Sequence, residues 1–214
     1  MSRIVIFGGS GYAGGNIARE AISRGHEVVS YTRNAPATPV EGVDYRIGTL
    51  ADAELVAKAA ADADQLVVAV KAEDVDGAPL VAHLSSLVDA AVAGGARLSF
   101  VGGAGSSLVA PGGPRLVDTP EFHDEWKAEA LAHADVLEGL HQAPAELDWF
   151  YVSPAALFGS FAPGETTGAY RTGGDVLVTQ GDGSSEISGT DLALAYVDEI
   201  ERGAHPRQRF TVGH

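Results

Sequence analysis

The sequence predicts an α/β protein with a doubly wound parallel sheet. Short apolar runs alternate with helical patterns across residues 3–152, which is the order that βαβ units produce. The run Leu66–Val70 is apolar throughout, as in a strand buried on both faces. A glycine-rich turn, Gly8–Gly14, lies between the first strand and the first helix. Repeated units of this length imply right-handed crossovers, with helices on both faces of the sheet.

The individual elements follow from the same patterns. Strands are predicted over residues 4–7, 27–31, 43–47, 66–70, 97–101 and 147–152. Helices are predicted over residues 16–24, 52–63, 80–93 and 121–141. Asp52 is placed to cap the second helix, and Gly94 and Gly95 end the third.

The pattern changes after Pro154. Residues 159–186 are rich in Gly, Ser and Thr, with one short strand predicted at 175–179. A final helix over residues 190–202 and a strand over residues 209–212 follow. Because 159–186 is long for a loop, we expect a substrate-covering element, with a variable surface excursion as the alternative. The chain is therefore expected to be a single domain, with a core at 1–154 and a covering part at 155–214.

Composition narrows the classes of partner. The formal net charge of −15 argues against nucleic acid and anionic membrane surfaces. The absence of cysteine excludes disulfides and thiolate chemistry, and the seven histidines show no metal-ligand spacing, so no metal is expected. No apolar run approaches the roughly 18 residues of a membrane span. A first strand that begins at residue 3 leaves no room for a signal peptide, so we expect a cytoplasmic monomer or homodimer with a small-molecule substrate.

The glycines at positions 8, 11 and 14 have the spacing and context of a dinucleotide-binding turn of the Rossmann type. Gly8 permits a tight exit from the strand. Gly11 lets the backbone approach a pyrophosphate, and Gly14 lets the helix pack closely on the strand. The N-terminus of the helix then offers free N–H groups and a partial positive charge to the phosphates.

The end of the second strand indicates which nucleotide is bound. NAD-binding proteins of this type place a carboxylate there, about 20 residues past the glycines. This chain instead has Thr32, Arg33 and Asn34. Arg33 can hold a 2′-phosphate with its planar guanidinium, whereas an ordinary exposed arginine is the alternative. We therefore expect a preference for NADP(H), with NAD(H) as the second candidate.

The loops after the fourth and fifth strands are the next candidates. Ala69, Val70 and Lys71 follow the fourth strand, where they would line the adenine and ribose. Glycines follow the fifth strand, which suggests a close approach to a ligand, although a plain turn explains them nearly as well. Ser106 or Ser107 could hydrogen-bond a substrate carbonyl.

These motifs resemble the atypical short-chain dehydrogenase/reductase superfamily, and within it the small NAD(P)H-binding proteins similar to NmrA-like proteins and to flavin/biliverdin-IXβ reductases. The resemblance covers essentially the whole chain. The segments that carry it are Gly8–Gly14, Tyr31–Asn34, Val101–Ser106, Trp149–Ala155, Pro163–Gly168, Ile187–Ala193 and Arg209–Val212.

The resemblance implies a pyrophosphate loop at residues 8–14 and a 2′-phosphate contact at Arg33. It also implies that the backbone of residues 153–155 meets the nicotinamide carboxamide and orients one face of the ring. The full predicted cofactor set is Gly8, Gly9, Ser10, Gly11, Tyr12, Ala13, Gly14, Thr32, Arg33, Asn34, Leu50, Ala69, Val70, Lys71, Gly102, Gly103, Ser153, Pro154 and Ala155.

One departure concerns the catalytic residues. The Tyr-x-x-x-Lys motif of standard members is absent, but His123 precedes Lys127 by four residues on the predicted long helix. His123 could act as a general acid and Lys127 could touch the ribose, with Ser106 as the third candidate. The alternative is that both helix residues are solvated, which favours acceptors that need little acid assistance.

We therefore expect an NADPH-dependent reductase of a flavin, quinone or carbonyl compound. A non-catalytic NADP(H) sensor is the alternative, and a nucleotide-sugar epimerase or dehydratase is disfavoured because 214 residues leave little room for a sugar-nucleotide lobe. Elsewhere, Trp149 is expected in the core and Asp191 as a helix cap. Asp198, Glu199 and Glu201 are expected to form a solvated helix face.

Overall fold

The computed structural model describes residues 1–214 and contains eight strands and five α-helices. The strands are β1 (Arg3–Phe7), β2 (Glu27–Thr32), β3 (Asp44–Ile47), β4 (Gln65–Val68), β5 (Arg97–Val101), β6 (Trp149–Ser153), β7 (Arg171–Gly173) and β8 (Gln208–Gly213). The helices are α1 (Tyr12–Ser23), α2 (Ala53–Ala61), α3 (Leu84–Gly94), α4 (Asp124–His141) and α5 (Gly189–Arg202).

All eight strands belong to one sheet, in the order β3-β2-β1-β4-β5-β6-β8-β7. Neighbouring strands are parallel except β7 and β8, which are antiparallel. The predicted doubly wound α/β class is confirmed. The chain reverses its direction of travel across the sheet between β1 and β4, so a crevice opens at the carboxyl ends of these two strands, where such sheets bind ligands.

Helices cover both faces of the sheet. One core of 27 buried residues lies under α2, α3 and α4, and it includes Trp149, which is 1% exposed as expected of a core residue. A second core of 19 residues lies under α1 and α5. No helix combines the length and apolar character that crossing a bilayer requires, and no cluster of three or more His, Asp and Glu side chains could hold a metal ion.

The covering part differs from the prediction in one element. The strand predicted at 175–179 is wrong, because the segment that pairs with β8 is Arg171–Gly173. Residues 175–177 instead bond to the loop after β5: the N–H of Leu108 donates to the carbonyl of Asp175, and the N–H of Leu177 donates to the carbonyl of Leu108. The apolar run at 175–179 therefore packs against the loop after β5 and does not form a strand of the sheet. The local periodicity of the sequence does not reveal this contact.

The acidic face of α5 is also not solvated as predicted. Asp198 and Glu199 are buried, and only Glu201 is exposed. Arg24 Nη1 lies 2.7 Å from Asp198 Oδ1, and Arg97 Nη2 lies 2.8 Å from Glu199 Oε1. Burial acts to raise the pKa of Glu199, but its hydrogen bonds with His205 and Arg97 outweigh burial and lower that pKa. All three acids therefore have basic partners outside α5, since Glu201 Oε2 also lies 2.7 Å from Arg24 Nη1.

The two adjacent glycines of α1 provide a matched test of this packing. A Cβ at Gly14 would overlap the backbone of Gly8, whereas a Cβ at Gly15 would lie 3.4 Å from the carbonyl oxygen of Gly9. We expect Gly14→Ala to lower the free energy of unfolding by about 1–3 kcal/mol, as overpacking does. Gly15→Ala should leave it unchanged or raise it by up to about 1 kcal/mol, because alanine favours helices. Urea denaturation measures both, and equal effects would contradict the packing argument.

Candidate functional site

The turn between β1 and α1 leaves no room for side chains at three glycines, and at Gly9 a Cβ would overlap the side chain of Ser30. Gly8 has φ of +95°, a conformation that favours glycine. A Cβ on Gly8 would overlap the carbonyl of Ala69 at the end of β4, and a Cβ on Gly14 would overlap the carbonyl of Gly8. The turn therefore brings the start of α1 directly over the crevice between β1 and β4.

Gly11 has a different environment. It is exposed and forms the N-cap of α1 with no side-chain cap, and the first turn of α1 carries no acidic residue. A Cβ there would meet only the carbonyl oxygen of Gly8, at 3.3 Å, so packing within the protein restricts this position less than it restricts Gly8 or Gly14. The N–H groups at this helix N-terminus have no side-chain partner, so they are available to an anionic group such as a diphosphate.

Tyr12 connects this turn to the covering part. Its hydroxyl accepts a hydrogen bond of 3.0 Å from the N–H of Gly189 and donates one of 3.3 Å to the carbonyl of Pro163. Its ring lies 5.5 Å from that of Phe158. The side chain is therefore committed to protein contacts, and only the backbone of Tyr12 is available to a phosphate.

The end of β2 presents one exposed cation, Arg33. Thr32 is buried, and its hydroxyl donates to the carbonyl of Asn34 at 2.8 Å, so it shapes the turn. The side chain of Arg33 is 74% exposed, with Nη1 3.8 Å from Asp76 Oδ1. Leu50, which was also predicted to touch the cofactor, is buried in the core under α2.

The loop after β4 is held by a carboxylate that the sequence analysis missed. Glu129 of α4 accepts hydrogen bonds from the N–H groups of Ala72 at 2.9 Å and Glu73 at 2.7 Å, and it lies 3.2 Å from His133. Burial acts to raise the pKa of Glu129, but these hydrogen bonds outweigh burial and lower the pKa to about 2. Glu129 thereby fixes the loop that begins with the predicted residues Ala69, Val70 and Lys71.

The glycines after β5 pack against aromatic side chains. A Cβ at Gly102 would overlap the ring of Tyr151, and one at Gly103 would lie 3.3 Å from His133. Tyr151 is fully buried, and its hydroxyl donates to the carbonyl of His133 at 3.0 Å. Burial raises the pKa of Tyr151 above its ordinary value. The lack of a side chain at Gly102 is therefore explained by Tyr151 without a ligand.

A buried arginine gathers three serines at the carboxyl ends of β5 and β6. Arg209 Nη1 donates to the hydroxyls of Ser107 at 3.2 Å, Ser153 at 3.3 Å and Ser106 at 3.4 Å. The other side of the guanidinium forms two hydrogen bonds with Asp175, of 2.6 and 2.9 Å. Because each serine oxygen accepts, its proton is left to donate. The result is a group of hydroxyl donors beside a guanidinium whose charge is paired with Asp175.

The backbone of Pro154 and Ala155 continues from this cluster, and both residues are buried. Sequence reasoning found Ser106 and Ser153 but missed Arg209. No local pattern marks Arg209, since it lies 34 residues from Asp175 and 103 residues from Ser106 along the chain. Only the pairing of β6 with β8 brings these groups together.

The two predicted residues of α4 lie on the surface. His123 is the N-cap of the helix and packs its ring 4.6 Å from that of Trp126. Lys127 is exposed, with Nζ 3.6 Å from Asp124 Oδ1. No hydrogen bond or ion pair joins either residue to another predicted site residue. Trp126 in turn stacks on the exposed ring of Phe161, at 5.9 Å, in the covering part.

Asp191 anchors the covering part and also takes part in the cap at the start of α5, because its N–H donates to the hydroxyl of Ser188 at 3.0 Å and its carboxylate accepts from that hydroxyl at 3.0 Å. Ser188 caps α5, and Asp191 is 0% exposed. Its carboxylate accepts hydrogen bonds from the N–H groups of Thr167 at 2.8 Å and Gly168 at 2.9 Å, and it lies 2.9 Å from His214 Nε2. A buried charge is tolerated here because several donors surround it.

A family model described as NAD(P)H-binding matches residues 8–202. The chain belongs to this family. The match begins at the first glycine of the β1–α1 turn and ends in α5, so it spans both the crevice and the anchored part of the cover. The expected resemblance to the atypical short-chain dehydrogenase/reductase superfamily is confirmed, and the chain is an NAD(P)H-binding protein.

Relatives of similar length support this assignment. The protein YwnB of Bacillus subtilis is 38% identical over 217 residues, which cover 98% of this chain and 97% of YwnB. A structure of a candidate exported protein from Burkholderia pseudomallei is 41% identical, with a TM-score of 0.87 and full coverage of both chains. A candidate NADH-flavin reductase from Streptococcus pneumoniae is 32% identical, with a TM-score of 0.88 and full coverage of both chains.

The role of Glu129 can be tested through its titration. We expect Glu129→Gln to lower the free energy of unfolding by about 1–3 kcal/mol at pH 7, because hydrogen bonds to a charged group are lost. The pKa of Glu129 in the folded protein, about 2, lies below its ordinary value of 4.5. The stabilisation is therefore complete above about pH 4.5 and is lost as the pH falls towards 2.

The stabilities of the wild type and Glu129→Gln should accordingly approach each other as the pH falls from about 4.5 towards 2. Glu138→Gln, on an exposed position of the same helix, is the control and should show no such convergence. A difference between wild type and Glu129→Gln that does not change with pH would rule out this role.

Proposed function

We propose that the protein is an NADPH-dependent oxidoreductase that transfers a hydride to a small conjugated acceptor such as a flavin, quinone or carbonyl compound. The observation that carries this proposal is the open, uncapped N-terminus of α1 at Gly11, placed over the crevice between β1 and β4. The exposed guanidinium of Arg33 at the end of β2 supports the choice of NADPH. The name of the streptococcal relative is consistent with a flavin acceptor.

In this proposal the nucleotide lies along the carboxyl edge of the sheet. The backbone of residues 8–14 binds the diphosphate, Arg33 and Asn34 bind the 2′-phosphate, and Thr32 shapes that turn. The loops after β4 and β5 line the adenine and ribose, with residues 69–71, 102 and 103 in this role. Residues 153–155 meet the carboxamide.

Bound NADPH supplies a hydride from its nicotinamide ring, so that two electrons and one proton reach the acceptor and a second proton comes from solvent. The cluster around Arg209 would face the acceptor. There the Ser106 hydroxyl donates to an acceptor oxygen, and the guanidinium stabilises negative charge that develops on it. His123 and Lys127 would assist only from the outer end of the cleft, beside Trp126 and Phe161.

A second candidate is a non-catalytic sensor of NADP(H). The contacts of Tyr12 favour it, since the hydroxyl joins the phosphate loop directly to Pro163 and Gly189 of the covering part. A sensor would bind a protein partner with different affinities in the presence of NADP⁺ and NADPH.

For the enzyme we expect a cytoplasmic monomer or homodimer that needs no partner beyond its acceptor.

Calorimetry with NADPH and NADH, followed by absorbance assays of NADPH oxidation, tests the proposal. We expect NADPH to bind and to be oxidised in the presence of at least one flavin, quinone or carbonyl compound. Binding without turnover of any acceptor would favour the sensor. The absence of binding by either nucleotide would overturn both.

The role of Arg33 yields a quantitative prediction. Arg33→Ala should weaken NADPH binding by about 2 kcal/mol, which is about thirtyfold, because a charged hydrogen bond is lost. NADH binding should barely change. Arg202→Ala is a matched control, since Arg202 is similarly exposed at 68% but lies at the end of α5. Calorimetric titrations measure each, and equal losses for both nucleotides would refute the 2′-phosphate assignment.

A further inference from the structure

Asp76 lies in the loop after β4 and has an unusual conformation. Its φ is +53°, and only one other residue besides the glycines, Arg207, has a positive φ in this chain. The loop around it is internally bonded: Asp74 Oδ1 accepts from the N–H of Gly77 at 2.7 Å, and the N–H of Val75 donates to the carbonyl of Ala78 at 2.7 Å. The turn therefore holds Asp76 at a defined place.

The side chain of Asp76 is also held at both oxygens. Oδ2 accepts a hydrogen bond from the hydroxyl of Thr49, which follows β3, and Oδ1 lies 3.8 Å from Arg33 Nη1. The loops after β2, β3 and β4 thus meet at one carboxylate. Such convergence at the carboxyl edge of the sheet is more than the chance approach of two surface charges.

This carboxylate changes what Arg33 can recognise. Without a ligand, the positive charge of Arg33 is already paired with the carboxylate of Asp76, so the net charge of the Arg33 and Asp76 side chains together is zero. A 2′-phosphate, with a charge of about −1.5 to −2, would approach Arg33 next to a carboxylate that repels it. A ribose 2′-hydroxyl meets no such repulsion, and it can donate a hydrogen bond to a carboxylate, as in NAD-binding proteins of this fold.

We propose that Asp76 sets the nucleotide preference of this site, by opposing the 2′-phosphate and accepting from the 2′-hydroxyl. Arg33 and Asp76 together then allow both NADP(H) and NAD(H) to bind, with only a modest preference for the phosphorylated form. The inference rests on the proposed function, because it requires a nucleotide whose adenosine ribose lies beside Arg33.

Asp76→Asn is the sharpest test. Asparagine has the same size, can still accept from Thr49 and tolerates a positive φ, so the loop is expected to keep its shape. We expect the affinity for NADP⁺ to rise about two- to fivefold, the range for exposed charge pairs. The affinity for NAD⁺ should fall or stay the same. Calorimetry at low salt measures both, and the gain for NADP⁺ should shrink at high salt because the repulsion is screened.

Glu73→Gln is the matched control. It removes the same charge from the same loop, but the Glu73 carboxylate forms no ion pair with Arg33. It should leave the ratio of the NADP⁺ and NAD⁺ affinities unchanged. If Asp76→Asn also leaves this ratio unchanged while Arg33→Ala shifts it, the inference about Asp76 is wrong and the proposed function stands. If the wild type binds neither nucleotide, both are overturned.

Discussion

The close contact between the N-terminus of α1 and the end of β1 is the constraint on which the site depends. With no Cβ at Gly14, the helix approaches the carbonyl of Gly8 until only backbone separates them, and with no Cβ at Gly8 the turn packs on the carbonyl of Ala69 at the end of β4. That approach directs the first N–H groups of α1 at the crevice between β1 and β4, where the chain reverses its course across the sheet. A bulkier residue at Gly14 would push the helix away and displace these donors from any diphosphate. The lack of side chains at these glycines therefore accounts both for the close packing of the helix and for the position of its N–H donors.

Around this turn, the loops of the site are held by buried or half-buried charges on distant elements. Glu129 of α4 binds the loop after β4, Arg209 of β8 binds the serines after β5 and β6, and Asp191 of α5 binds the covering part. Each of these charges has several partners, which is what makes its removal from water tolerable. A buried ion without partners would destabilise the fold, so each loop must stay in contact with its charged group. The same contacts therefore restrict the positions of these loops. The site is organised by polar anchors as much as by its apolar cores.

Electrostatics at the site is local, since the chain as a whole is strongly acidic. With a net charge of −15, the overall field repels an anionic nucleotide. Attraction must come from the helix N-terminus and from a few cations at short range. Arg33 is such a cation, and its neighbour Asp76 partly cancels it. Discrimination between two nucleotides that differ by one phosphate then becomes a balance between one attractive and one repulsive group.

The sequence alone determined the α/β class, the glycine turn and the burial of Trp149, because these depend on local periodicity and on residues close together in the chain. It misassigned the segment at 175–179 and the exposure of Asp198 and Glu199 in α5, and it missed Glu129, Arg209 and Asp76. Each of these depends on a partner from another element, as Arg209 does on serines about a hundred residues away. Local patterns report which face of an element is apolar. They do not report which charged residue lies on the neighbouring element that packs against that face. Only the tertiary structure decided those pairings.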